Sequence, residues 1–292
     1  MMRKTLVFLA GFLSILLASG SAFGQTRRVV LKTLLEKEAE YCRRLDNVRL
    51  DLVCLEDITE TIDQSKDVKT TDSVAPLNVA GMTEGSWTRE GSMIPATRMK
   101  RTLLYDFQFV RKAGAIRESR ILLKINGKET REDNAKLKTA FFVYKNALMG
   151  PVGIFGEQWQ RRLDYKLGES VVLEGKPVVK IEVTPKAGLP GLPFLSGTAY
   201  VDENTLEILK IEWSEKGVGN LEIFEKKGEK YGLTPHISVV SEFNVEKNGI
   251  RFPTRHRIEE QYLDKKGKKF VRSVTSVAYG GFKFFTVEVE TR

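Results

Sequence analysis

Two histidines, two cysteines and a scatter of acidic side chains are what this 292-residue chain offers to acid–base, nucleophilic or metal chemistry. His236 follows Pro235 at the start of an apolar alternation. His256 sits in TRHRIEE, residues 254 to 260, and reads as a solvated strand residue. Two histidines do not build a multi-histidine metal site, and neither lies in an H-E-x-x-H pattern. A reactive nucleophile needs a partnered base, and no G-x-S-x-G elbow is present. Glu118, Glu182, Glu212, Glu259 and Glu260 could supply a carboxylate pair for glycoside hydrolysis. Each also fits a solvent-facing strand position beside Lys or Arg, an ordinary sheet device. The glycine-rich GPVGIFG, residues 150 to 156, lacks the Lys-Ser/Thr end of a phosphate loop and reads as a helix interruption. The residues therefore point to a non-catalytic protein with no metal and no cofactor.

The formal charge is +9, spread among interleaved acidic and basic residues. Nucleic-acid binding needs a concentrated basic stripe or a recognisable module, and neither is seen. Residues 1–24 have the layout of a cleaved secretory signal. Arg3 and Lys4 precede an apolar run from Leu6 to Leu17, and Ala22-Phe23-Gly24 precedes Gln25. The run is shorter than the roughly 20 residues of a membrane span. The first cysteine is Cys42, away from the cleavage point, so a lipoprotein is not expected. The expectation is a periplasmic or secreted protein, soluble after cleavage. Cys42 and Cys54, an even count in an oxidising compartment, then read as a disulfide. On one continuous helix they would be about 18 Å apart, too far to bond. A helix turning back into a strand between them would bring them together. The alternative is two separately buried thiols.

The pattern along residues 25–292 is that of a single, mainly β (α+β) domain. Val30, Leu31, Leu34, Leu35, Cys42 and Leu45 give residues 29–46 an amphipathic helical face. Residues 64–97, rich in Ser, Thr, Asp and Gly, read as a long loop. Period-two alternation then dominates, as in LLYDFQFVRK from Leu103, and Asn126-Gly127 and Asn248-Gly249 mark tight turns. LEIFEKK from Leu221 reads as a strand ending at Gly228. Residues 135–163 break the β pattern and read as a helical plug. About ten antiparallel strands joined by short turns favour pairing in sequence order, and so large a sheet curls. The helix and the plug belong on its concave side.

The hairpin GTAYVDENTLEILKIEW, residues 197 to 213, raises a parity problem. Leu206 and Ile208 point one way, and Leu209, Ile211 and Trp213 the other. Either both faces of this strand are covered, or a β-bulge near Ile208 swaps them. The segment also resembles the outer-membrane lipoprotein-sorting (LolA/LolB-like) superfamily, in which a D-x-x-T hairpin and an apolar strand recur; here these are Asp202, Thr205 and Leu206 to Trp213. The resemblance implies a strongly curved antiparallel sheet forming an incomplete barrel around a helical plug. It also implies non-covalent binding of acyl chains or another hydrophobic ligand.

The aromatic residues carry the best functional hint from the chain itself. Tyr105, Phe107, Phe109, Phe155, Trp159, Trp213, Phe243 and Phe285 are candidates to line one apolar cavity. A loop bearing Leu189, Leu192, Phe194 and Leu195 is a candidate lid, protein-partner site or membrane-touching tip. The expected function is binding of a lipid or acyl chain in the cavity of a curved sheet. The alternative is an envelope protein–protein interaction domain with a packed core.

Overall fold

The computed structural model describes residues 30–46, 50–67, 98–112, 115–139, 150–187, 196–215 and 221–286. The expected signal segment, most of the 64–97 loop and the apolar loop 187–197 from Gly188 to Leu195 lie outside the described residues.

The described strands are β1 (Leu50–Asp63), β2 (Arg98–Lys112), β3 (Ala115–Ile125), β4 (Lys128–Glu132), β5 (Leu163–Leu173), β6 (Lys176–Pro185) and β7 (Gly197–Asp202). They continue as β8 (Ile208–Trp213), β9 (Thr234–Glu242), β10 (Val245–Lys247), β11 (Ile250–Phe252), β12 (Arg255–Leu263) and β13 (Lys269–Thr286). The helices are α1 (30–46), α2 (Gly150–Phe155), α3 (Glu157–Gln160) and α4 (Leu221–Tyr231). Eleven strands form one antiparallel sheet in the order β4-β3-β2-β1-β13-β12-β9-β8-β7-β6-β5, and β10–β11 form a separate hairpin. The sheet is curved and open, an incomplete barrel.

Sequence-order pairing holds from β1 to β4 and from β5 to β9; β9 then pairs with β12, past the separate β10–β11 hairpin, and two larger departures remain. The first and last strands pair with each other, from Leu50↔Thr286 to Ile62↔Ser273. The consecutive strands β4 and β5 end on opposite edges. α2 and α3, which belong to the connection between them, pack against the inner-face cluster through Ile154, Phe155, Val152 and Trp159. This is the physical basis of the plug, but its detail differs from expectation. Residues 135–139 are not helical, residues 140–149 lie outside the described residues, and Leu163 already belongs to β5. The run Gly150-Pro151-Val152-Gly153, read as an interruption, is itself helix. Proline is tolerated there because a first helical turn has no N–H partner to lose.

LEIFEKK is likewise helical, within α4. Phe224 and Gly228 are its buried positions, one turn apart, and Glu225 and Lys226 between them face out. Gly228 is not a turn residue but a point of close approach. A Cβ there would lie 2.7 Å from the Leu233 carbonyl oxygen and 2.8 Å from Pro235 Cδ.

The parity problem of the 197–213 hairpin is resolved by a bulge. Tyr200 pairs with Lys210 and Val201 with Ile208, so Leu209 is the extra residue. Ile208, Ile211 and Trp213 thereby share the inner face, and Leu209 turns to the other side. There it helps line a small depression of about 80 Å³ with Leu173, Lys176 and Glu242. The Asp202 carboxylate shapes the turn by accepting from the backbone N–H of Asn204 (2.8 Å) and Thr205 (3.2 Å). Leu206 sits in the turn at φ 57° rather than in the strand.

The expected disulfide is not formed: Cys42 and Cys54 are both buried free thiols. Cys42 faces α2, where its Sγ–H donates to the Pro151 carbonyl at 3.4 Å. Cys54 lies on β1 opposite Phe107. The reversal from helix to strand occurs, but the two side chains are directed to different partners. Burial raises the Cys54 thiol to about 12 and raises Cys42 as well, which leaves both poor nucleophiles. A thiol reagent should detect neither cysteine in the native protein and both after denaturation. Reductant should leave the melting temperature unchanged.

Candidate functional site: the inner face of the sheet

The inner face is set by strand parity. On β1 the buried positions are Leu52, Cys54, Glu56, Ile58, Glu60 and Ile62; on β2 they are Leu103, Tyr105, Phe107 and Phe109. The β1–β2 register sets Cys54 opposite Phe107 and Glu56 opposite Tyr105. Across the other limb the same face carries Ile258, Val239, Ile211, Ala199 and Ile181. All belong to one hydrophobic cluster, which also takes in Leu34, Tyr41, Cys42 and Leu45 of α1 and Ile154 and Phe155 of α2.

Of the aromatic candidates, Tyr105, Phe107, Phe109, Phe155, Trp213 and Phe243 are in this cluster, and Trp159 packs against its margin. Phe155 stacks on Tyr165 at 5.9 Å between centroids. The N-terminus of α2 rests on the Trp213 indole: a Cβ at Gly150 would lie 2.9 Å from Trp213 Cζ2. Phe285 is the exception, at 50% exposure. The β1–β13 register shifts between Val53↔Lys283 and Leu55↔Gly280. This extra residue on β13 turns Phe282 and Phe284 inward and Phe285 outward.

Polar groups punctuate the apolar face in three clusters. In the first, the Arg120 guanidinium donates to both Glu56 oxygens (2.6 and 3.0 Å) and lies 4.8 Å over the Phe107 ring. The Tyr279 hydroxyl also donates to Glu56 (3.2 Å). In the second, Glu260 accepts from Tyr262 (2.6 Å), Ser273 (2.7 Å) and Arg272 (3.1 Å), with Lys227 of α4 at 3.5 Å. Arg272 also holds Asp67 at 2.8 Å, and the Tyr231 hydroxyl donates to Asp67. Burial by itself would raise the Glu260 carboxyl; Arg272 and the two hydroxyls outweigh it and hold it below the usual carboxylate range. In the third, the Trp213 indole N–H donates to Ser241 Oγ (3.0 Å), which shares a hydrogen bond with His256 Nδ1 (2.8 Å). Burial lowers His256 to about 4, so its ring is neutral.

His256 and Glu260 thus correct the sequence reading, which placed both in solvent; both are on the inner face of β12. Glu182, Glu212 and Glu259 are paired on the outer face with Lys166, Lys210, and Arg257 and Lys269. Glu118 lies 3.7 Å from Arg120. His236 is partly exposed and bonded to Glu215 at 2.9 Å. The sequence reading missed Glu38, Glu56, Glu60, Arg120 and Arg272. A signal for two of them was present, since Glu56 and Glu60 share parity with Leu52, Ile58 and Ile62. Among the described residues no group of three or more His, Cys, Asp or Glu side chains is placed to hold a metal, and no helix is long and apolar enough to cross a membrane.

Two consequences are measurable. Arg120→Met leaves the Glu56 charge buried and should cost about 3–5 kcal/mol in urea unfolding, with much of the loss recovered when Glu56→Met is added. His256 is neutral when folded but binds a proton below about pH 6.5 when unfolded. Its contribution is complete above that pH and lost as pH falls towards 4. The stability difference between the wild type and His256→Asn should therefore shrink by about 3 kcal/mol across that window.

No family model matches the sequence, and no curated protein does. Among solved structures the chain is similar to a DUF1329 family protein from Desulfovibrio piger. The identity is 12%, the match covers 87% of this chain and 92% of that one, and the TM-score is 0.37. It is also similar to a LolA superfamily protein from Nitrosomonas europaea, at 10% identity over 87% of this chain and 94% of that one, with a TM-score of 0.34.

Proposed function

We propose that this protein is a non-catalytic, exported carrier that holds a lipid or acyl chain against the inner face of its curved sheet. One observation carries the reading. The inner face is apolar across both limbs of a hydrogen-bonded sheet apart from three polar clusters, yet what closes it on the α1–α3 side is three helices, of which α2 and α3 are only 6 and 4 residues long. Those helices are tied down by few polar contacts. Gln160 of α3 donates to the Leu35 carbonyl at 2.7 Å, Cys42 to Pro151, and the Tyr41 hydroxyl to the Arg251 carbonyl at 3.3 Å. The Ile154 carbonyl of α2 also accepts from the Tyr165 hydroxyl at 2.6 Å, and Tyr41 Oη from the Arg251 N–H at 3.2 Å. Much of the remaining closure is apolar contact, which a bound chain replaces at about 0.8 kcal/mol per buried methylene. Leu31, Leu35, Val152 and Trp159 are only partly buried where these helices meet the core, and this seam is the entry we favour. The proposed compartment rests on residues 1–24.

Native mass spectrometry with organic extraction, on protein purified from its own envelope, should release a stoichiometric lipid. Trp159→Ala should weaken lipid retention several-fold while the fold survives. Trp213→Ala, which opens the core, should cost about 3–5 kcal/mol of stability. A clean apo mass with no uptake of added lipid would reject the carrier in favour of a packed interaction domain.

A further inference from the structure

Glu38 differs from the other charges on the inner face. Glu56 has Arg120, Glu260 has Arg272 and Lys227, and Asp67 has Arg272. Glu38 is fully buried, and neither carboxyl oxygen has a hydrogen-bond partner among the described residues. It stands in the middle of the buried face of α1, one turn after Leu34 and one turn before Cys42, with Tyr41 and Leu45 completing that face. The polar neighbours make their hydrogen bonds elsewhere. Tyr41 Oη is engaged by the Arg251 backbone, and Cys42 Sγ by Pro151. Burial pushes the Glu38 carboxyl well above its usual range, so the group sits on the lid as a neutral acid. An unsatisfied buried polar group weakens the very helix docking that closes the site.

We infer that Glu38 is the polar anchor of the carrier site and takes an acyl-chain ligand with an uncharged, hydroxyl-bearing head group, as in a monoacylglycerol. The inference rests on the carrier reading above. A neutral carboxyl presents one O–H donor and a carbonyl acceptor, and a hydroxyl is both acceptor and donor, so it can satisfy the two together. An anionic head group would bring an uncompensated charge into a desolvated site. An alkyl ester offers acceptors alone and leaves the Glu38 carbonyl oxygen unpaired. The position fits the entry seam, because Glu38 is one turn along α1 from Leu35, whose carbonyl is held by α3.

The test compares 1-monoolein, methyl oleate and oleate as ligands of the delipidated protein, purified from its native host, by calorimetry and thermal unfolding. The wild type should bind monoolein about tenfold more tightly than methyl oleate, the factor expected for one added hydrogen-bonded contact. Glu38→Leu should abolish that preference and raise the melting temperature of the apo protein by about 3 °C. Glu38→Gln keeps a donor and an acceptor and should keep the preference. Equal affinity of the wild type for monoolein and methyl oleate, or a preference that survives in Glu38→Leu, would overturn the anchor and leave the carrier standing. Tighter binding of oleate than of monoolein would overturn the uncharged head group. Failure to bind any of the three would overturn the carrier reading, and the anchor with it.

Discussion

The pairing of β1 with β13 is the constraint on which the rest of the structure depends. It joins groups as distant in sequence as Glu56 and Tyr279, 223 positions apart. The entropy of closing so long a loop grows only slowly with length, by about 0.6 kcal/mol per doubling. The paired strands recover it with a ladder running from Leu50↔Thr286 to Ile62↔Ser273. Because both strands lie inside the sheet, neither terminal strand is left as an edge. The edges fall instead to β4 and β5. β4, KETRE, is exposed along its whole length and strongly charged, which discourages pairing with another chain. The described part of the β4–β5 connection, α2 and α3, packs on the inner face between those two edges.

A sheet that buries its inner face should exclude charge from it, yet this one places Glu56, Glu260, Arg120 and Arg272 there. Removing both members of such a pair is often harmless, whereas removing one is costly. Their role is therefore better sought in register than in net stability. The Glu56–Arg120 pair joins β1 to β3 across β2 and fixes the relative slip of three strands. Arg272 does the same at the bulge opposite Glu260 and Gln261, where an extra residue on β13 would otherwise let the strand settle in either of two alignments.

Much of this was legible in the sequence, and the failures have a common cause. The alternation in LLYDFQFVRK placed Tyr105, Phe107 and Phe109 together correctly, because β2 is regular over that stretch. Phe285 lies outward because a single extra residue inverts every side chain beyond it, and that bulge leaves little trace in composition; at Leu209 the broken parity of the strand is itself the sign, and a bulge near Ile208 is one of the two readings it allows. Glu260 and His256 were read from their charged neighbours, although Ile258 between them shares their parity. Leu221 to Lys227 reads as a strand because a seven-residue segment whose apolar residues, Leu221, Ile223 and Phe224, all fall in its first four positions satisfies either period. Cys42 and Cys54 illustrate a different limit. Compartment and chain reversal can favour a disulfide, but side-chain direction decides it, and α1 aims Cys42 at α2.

The four helices are not equally free to move. α4 is tied to the sheet by Lys227 on Glu260 and by Tyr231 on Asp67 and Arg272, all within one ionic network. Lifting α4 would strand buried charges, which costs several kcal/mol per group. The ion pairs of α1, Lys32–Glu36 and Arg43–Glu40, have exposed side chains and bind the helix to itself, so they contribute little to docking. Its sheet-facing side offers apolar contact and a carboxyl without a partner. If one part of the closure yields to an incoming apolar chain, α1 with α3 yields before α4. The Glu38 carboxyl lies on the helix that would yield, and α4 with its ionic network is the more firmly fixed wall of the inner face.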